Sequence, residues 1–485
     1  MTQFVDATSS LPATLALLLW MPLSVAAFAL TKPHRAAALL FVYGTLFLPE
    51  LEYFDIKLLP NMDKKTIVCG WVFFPALLWC SARLKRTNLG RLPWLLFGLM
   101  VIVDIGRALT NQDALVVGGR VIPPILLHTA LTFMMEDFLL VFVPYFIGAA
   151  LFNDRESLRD LFRVFCTAGV VYVPFIALEL RFSPQFHAWV YGYHQHSWLQ
   201  VMRDGSYRPM VFMHHGLAVA LFMATCVVLA LGMSKAKEKL FGRGAFLFAA
   251  LMMVVLGLSH SLGAAVLAVV GAFAVQFFSA RFQLRMAVLL GALVMAYPML
   301  RAYDMVPTKA LVDFTRKSIS DDRAGSIEFR FYNEDIVLKR ALERPLFGWG
   351  GFDRMFIFDE ESGDEASVLD GAWIITYARS GVFGFVSKFG LLTWPLWLAL
   401  KRMRRVPVKA DQALLAALAV AAAIVAFDLL PNGMFTYFPH LLAGALLGAT
   451  RQLSRRDVAA PVAVVSQPRK PPRPLHTAAT VRLDG

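Results

Sequence analysis

Apolar runs of about 17–25 residues recur along most of this chain, and no other feature constrains its fold as strongly. A helix rises 1.5 Å per residue, so each run is long enough to cross the ~30 Å hydrocarbon core of a bilayer. The runs lie near 11–30, 36–51, 66–82, 93–110, 131–151, 162–180, 210–232, 245–260, 262–280, 286–302, 372–400, 411–430 and 434–450. A soluble domain would carry about a quarter charged residues; here 17% are charged and 58% hydrophobic. The expected fold class is therefore an all-α polytopic membrane protein of about 12–13 transmembrane helices with one large extracytoplasmic loop.

The net charge of +13 does not point to nucleic acid as a partner, because the basic residues sit in short clusters between apolar runs. These clusters are Lys32 and Arg35; Arg83, Lys85, Arg86 and Arg91; Arg155, Arg159 and Arg163; Lys235, Lys237, Lys239 and Arg243; Arg281 and Arg285; and Lys401, Arg402, Arg404 and Arg405. They alternate with connections poorer in basic residues, which assigns them to one side, the cytoplasm. Residues 181–209 and 303–371 then face the other side, the periplasm of a two-membrane cell. The transmembrane domain spans 1–450, and the Pro-rich basic stretch 451–485 reads as a disordered cytoplasmic tail.

Cys69, Cys80, Cys166 and Cys226 all fall inside apolar runs without C-x-x-C spacing, as buried small hydrophobes do. No cleavable signal peptide is expected, since the first apolar run lacks a basic leader and a small-residue cleavage site. Asp104 and Arg107 can pair at i, i+3 inside a span. Glu136 and Asp137 are either structural or line a cavity.

The connection 303–371 holds nine Lys/Arg and fifteen Asp/Glu, a net of −6. Its middle, SIEFRFYNEDIVLKRALER, reads as a helix with Ile327, Phe331, Leu338 and Leu342 on one face and an Arg330–Glu334 pair on another. Arg344-Pro345 ends it, and PLFGWGGF follows with glycines suited to a tight turn. This helix either lies at the membrane interface or turns Arg323 and Arg330 toward a cavity, where a planar guanidinium would grip a diphosphate with paired hydrogen bonds.

The connection 181–209 is dense in Phe, Trp and Tyr, including Phe186, Trp189, Tyr207 and Trp198. Such rings anchor at interfaces and also stack on sugar rings. His187, His194, His196, His214 and His215 crowd the same region, but H-x-H and H-H are weak ligand patterns, so no metal is expected. Arg208 stands where the chain re-enters the membrane, at the depth of a lipid diphosphate. His260, in LGLSHSLGAA, reads as a turn residue between two helices.

Four stretches, in order, resemble the superfamily of Wzy-type polysaccharide polymerases and O-antigen ligases. They are YRPMVFMHHGLAVALF at 207–222, LGLSHSLGAAVLAVV at 256–270, EFRFYNEDIVLKRALERPLFGWGGF at 328–352, and DGAWIITYARSGVFGF at 370–385. The second lacks the family's Arg. The resemblance covers roughly 180–400, and its third stretch is the most specific. It implies a metal- and cofactor-independent glycosyltransferase of the inner membrane, acting on undecaprenyl-diphosphate-linked oligosaccharide at the periplasmic face. Arg208 and Arg330 match diphosphate-holding positions; Arg323, outside the matched stretches, is a further candidate for the diphosphate from its place in the loop. Tyr207, His214, His215 and Trp349 are candidate glycan contacts. Asp370 stands where the ligases carry a His, which favours a polymerase with Asp370 as base. The implied partners are the lipid-linked repeat, the growing polysaccharide, the bilayer, a flippase and a chain-length regulator. The alternatives are a ligase acting on lipid A-core or another acceptor, and a lipid-linked glycan flippase. No repeated halves with paired broken helices favour the latter.

Overall fold

The structure is a computed structural model that describes residues 10–196, 201–203, 205–351, 353–434 and 437–455. Its helices are α1 (Leu11–Leu30), α2 (Pro33–Phe47), α3 (Lys64–Trp79), α4 (Ser81–Lys85), α5 (Arg91–Thr110), α6 (Leu127–Asp137), α7 (Val143–Leu151), α8 (Arg155–Phe182) and α9 (Phe186–Tyr191). There follow α10 (Gly216–Lys235), α11 (Ala245–Leu258), α12 (Leu262–Phe277), α13 (Ala280–Ala302), α14 (Thr308–Ser318), α15 (Asp321–Glu343), α16 (Ala372–Arg402), α17 (Lys409–Asp428) and α18 (Phe438–Leu453). The described strands form short two-stranded hairpins in the connections.

Each of the thirteen apolar runs carries helix. Eight helical segments, with α6 and α7 counted as one through a π turn, are long and apolar enough to cross a membrane. The chain is thus a multi-pass α-helical membrane protein. α2, α3, α11, α12 and α18 have 14 to 16 residues. They reach only ~21–24 Å at the α-helical rise. α10, at the centre, is buried on nearly every side, whereas α1 shows most of its apolar surface outward. That outward surface suits lipid.

The connections gather at two ends. At one, Lys32 meets Glu156, Arg83 donates to the Leu151 carbonyl, and Arg155 lies 3.5 Å from Asp411, so the predicted basic clusters at 32–35, 83–91 and 155–163 share this end. At the other, the backbone N–H of Glu50 donates to His187, and Arg344 reaches Asn111 and Asp113. Residues 303–371 belong to this second, loop-rich end.

Three expectations need correction. α10 begins at Gly216 rather than near 210, because Met210 and Val211 donate their N–H groups to Glu179 and His215 caps the helix. The tail does not begin at 451: α18 continues to Leu453, which is buried, and 456–485 lie outside the described residues. α15 starts five residues before the expected stretch, at Asp321, because Ser320 Oγ accepts from the Arg323 N–H and two aspartates favour the first turn.

Candidate functional site

α15 is held to the bundle by a mixed face that keeps part of the predicted apolar one: Leu338 is buried and Ile327 and Phe331 are half-buried. Ala324, Asn333, Glu334, Val337, Leu338 and Ala341 are buried, while Leu342 is exposed. Glu334 does not pair with Arg330. Its carboxylate lies 3.2 Å from Arg301 Nε on α13 and accepts from Trp373 Nε1 at 3.1 Å and Tyr297 Oη at 3.2 Å. Burial raises the Glu334 pKa against the pull of these donors. Arg301 also reaches Asp335 at 2.7 Å. With Glu334 turned inward, Arg330 on the next face is released toward α16, where its Nε donates to Asp370 Oδ2 at 3.0 Å.

Beyond Arg344 the chain makes the expected turn, with Gly348 at φ +68° and Gly350 at φ +80°. The turn fits into a break in α16, where Gly381 takes φ +66° and ψ −171°. Two helical hydrogen bonds are lost there, from Val382 N to Ala378 O and from Phe383 N to Arg379 O. All four groups find partners in the turn: Trp349 N and Gly350 N donate to the carbonyls of Ala378 and Arg379, and Val382 N and Phe383 N donate to those of Pro345 and Leu346. A Cβ at 381 would lie 2.3 Å from the Leu346 carbonyl, and one at 348 would lie 2.6 Å from that of Ala378. Stretches separated in sequence by the 353–369 segment thus become one backbone unit, which positions Asp370 and Arg330 from either side.

Trp349, expected to face a glycan, is instead nearly buried. Arg340 lies 3.3 Å and Arg344 4.2 Å from its ring centroid, and its Nε1 donates to the Arg340 carbonyl. Arg344 and the fully buried Arg354 both hold Asp113. This cluster is scaffold.

The other two stretches also meet. Arg208, buried just after the 202–207 hairpin, donates to the His260 carbonyl at 3.2 Å, and Arg323 of α15 approaches the same oxygen at 3.5 Å. His260 is the expected turn residue, at φ +50°. Tyr207 is half-buried in the hairpin, and His214 is exposed. His215 is buried, and its Nδ1 accepts from Leu217 N at 3.0 Å, which places the proton of the neutral ring on Nε2. Burial first, then the neighbouring Arg208, His196, His214 and Arg330, push its pKa down to about 3. A neutral Nε2–H donor close to Arg208 suits an anionic ligand.

Sequence reasoning missed Glu179. This buried carboxylate at the end of α8 accepts from Met210 N at 2.8 Å, Val211 N at 2.7 Å and Phe186 N at 3.3 Å, fixing the backbone that follows Arg208. A Glu near the end of an apolar run was the available signal. Also missed was the buried Glu50–Lys64 pair at 2.6 Å, which with His214 lines a cavity of about 30 Å³. His187 is structural: its Nδ1 donates to the Tyr193 carbonyl, its Nε2 accepts from Glu50 N, and burial pushes its pKa down to about 4.

Among the described residues, His34, Glu156 and Asp160 stand close enough together to hold a metal ion. They lie at the basic end, and their carboxylates are engaged by Lys32, Arg35 and Arg163. No protein-family model matches the chain, and no curated protein matches it at a significant level.

Proposed function

We propose that this chain is an inner-membrane glycosyltransferase that joins undecaprenyl-diphosphate-linked oligosaccharide repeats into a surface polysaccharide at the periplasmic face. The observation that carries the reading is the convergence of four sequence stretches at the loop-rich end. Arg208 and Arg323 meet at the His260 carbonyl, Arg330 meets Asp370, and His215 feels the charge of both Arg208 and Arg330.

In the proposed reaction the acceptor hydroxyl attacks the anomeric carbon of the donor glycan. The bond from that carbon to the diphosphate oxygen breaks, and the diphosphate leaves with the electron pair. Arg208, Arg330 and, less directly, Arg323 stabilise the charge that develops on the leaving group. His215 Nε2–H adds a neutral donor. Asp370 is half-exposed beside Arg330 and takes the hydroxyl proton once a diphosphate has drawn Arg330 away from it. The same site serves a ligase if the acceptor is lipid A-core instead of a second lipid-linked repeat.

The test is glycan profiling of a deletion strain complemented with wild type, Arg208→Ala or Arg330→Ala, with each variant's membrane level checked. Loss of polymer with single repeats left on lipid supports polymerisation. Full-length polymer from both variants overturns the site. Polymer that forms but stays on its carrier points to ligation.

A further inference from the structure

On the bundle's flank, α5, α13 and α16 leave a groove of about 350 Å³ between them. Gly291 and Ala292 of α13 and Gly390 of α16 form a floor without bulk, and Leu96, Trp394 and Trp397 form the walls. The indoles stack with ring centroids 4.8 Å apart. A Cβ at Gly390 would come within 3.2 Å of Leu96, and one at Gly291 within 3.4 Å of Thr393, both lining residues, so larger residues would crowd the channel. Along α16 the lining runs from Val386 to Trp397, ~16 Å at the helical rise, about half of a ~30 Å hydrocarbon core.

Its Trp397 end lies toward the basic end. Lys401 Nζ sits 4.7 Å from the centroid of the Trp397 ring, and Lys401, Arg404 and Arg405 are exposed one to two turns further along. On the facing wall, exposed Arg91 immediately precedes the lining residue Leu92. An apolar channel one leaflet deep, ending between cations on two helices, matches a chain with an anionic headgroup.

We propose that this groove binds one acyl chain of an anionic phospholipid, whose phosphate rests between Arg91 and Lys401 at the basic end. The lipid seals α5 and α13 against α16 on the side away from the arginine site. The inference does not depend on the glycosyltransferase reading, because groove and site lie toward opposite ends of α16.

Native mass spectrometry of the delipidated full-length protein tests it, with phosphatidylglycerol and phosphatidylethanolamine of identical chains as probes. The expected result is one phosphatidylglycerol retained with at least ~10-fold preference. Ala292→Phe, which fills the groove from an exposed position, should lower that retention ~10-fold. Leu289→Phe, on an outward position of the same helix, should leave it unchanged. Lys401→Gln combined with Arg91→Gln should erase the headgroup preference while some chain binding survives. Equal retention of both lipids by wild type overturns the proposal, as does unchanged binding by Ala292→Phe. A dimer mass abolished by Ala292→Phe would assign the groove to a second copy of the chain and also overturns it.

Discussion

The chain handles ionisable side chains in opposite ways in two regions. Between α5, α6 and α16, three acids and three bases lie within the bundle, each base beside an acid. Arg107 is 2.9 Å from Asp104, Arg379 is 2.7 Å from Glu136, and Lys388 is 2.6 Å from Asp137. Asp104 and Arg107 are about 1% exposed, and Arg107 further stacks 3.7 Å from the Phe133 ring centroid. At the loop-rich end, Arg208 and Arg323 turn to a backbone carbonyl and Arg330 to a carboxylate that is 36% exposed. In a medium without water a charge is tolerable only if its partner never leaves. At the wet end an ion pair can dissolve when a better anion arrives. The Asp104–Arg107 pair is therefore architecture, and the Arg330–Asp370 pair is poised to exchange partners.

Breaking an inner pair should produce the largest effect. Asp104→Ala leaves the buried Arg107 without its carboxylate, a cost of about 3–5 kcal/mol. Loss of folded protein should appear as reduced membrane yield and a lower thermal midpoint by fluorescence-detected chromatography. If Asp104→Ala is as stable as wild type, the inner charges are not architecture and the contrast fails.

The outer region should respond in activity instead. Arg330→Ala should cut polymer formation ~10²–10³-fold, the scale of losing one aimed charge in a transition state, with the thermal midpoint nearly unchanged because its ion pair is partly solvated. Arg330→Lys should recover part of that activity. A large stability loss in Arg330→Ala would place it with the inner group.

Gly381→Ala sharpens the comparison from the backbone side, since it strains the break shared by Arg379 and the turn after α15. Positive φ and the contact with Leu346 should cost about 1–3 kcal/mol, read as a lower midpoint together with reduced activity. An unchanged protein would mean that the break can close into continuous helix.

The smallest effect concerns pH. His187 and His215 enter the folded state neutral, with pKa values pushed down to about 4 and about 3. A lowered histidine pKa contributes stability that is full above the unfolded value of ~6.5 and is lost as pH falls toward the folded value. Melting curves from pH 7.5 to 4.5 should thus fall on the acid side. His187→Gln combined with His215→Gln should flatten that fall; an unaltered slope would assign it to carboxylates.

Much of this was legible in the residues. The thirteen apolar runs became helices, Arg344-Pro345 ended α15, Gly348 and Gly350 made the turn, and Asp104 paired with Arg107. Each of these follows from local chemistry: hydropathy, ring closure, a missing Cβ, a three-residue spacing. The errors came where a local partner competed with a distant one. Glu334 was four residues from Arg330 on one helix, yet Arg301, Trp373 and Tyr297 offered it a buried set of donors. An exposed i, i+4 pair contributes only ~0.3–0.5 kcal/mol, so the tertiary site wins. Trp349 read as a sugar platform because aromatic composition does not say which faces of a ring are already covered.

The sequence by itself determined that this chain is a multi-pass helical membrane protein, since apolar length and basic clustering are properties of segments. Which charges stay locked in the bundle and which face the loop-rich end was decided only by the tertiary structure. Partner choice depends on the burial and distance of groups tens to hundreds of residues apart: Arg379 with Glu136, Arg330 with Asp370, Arg208 with His260.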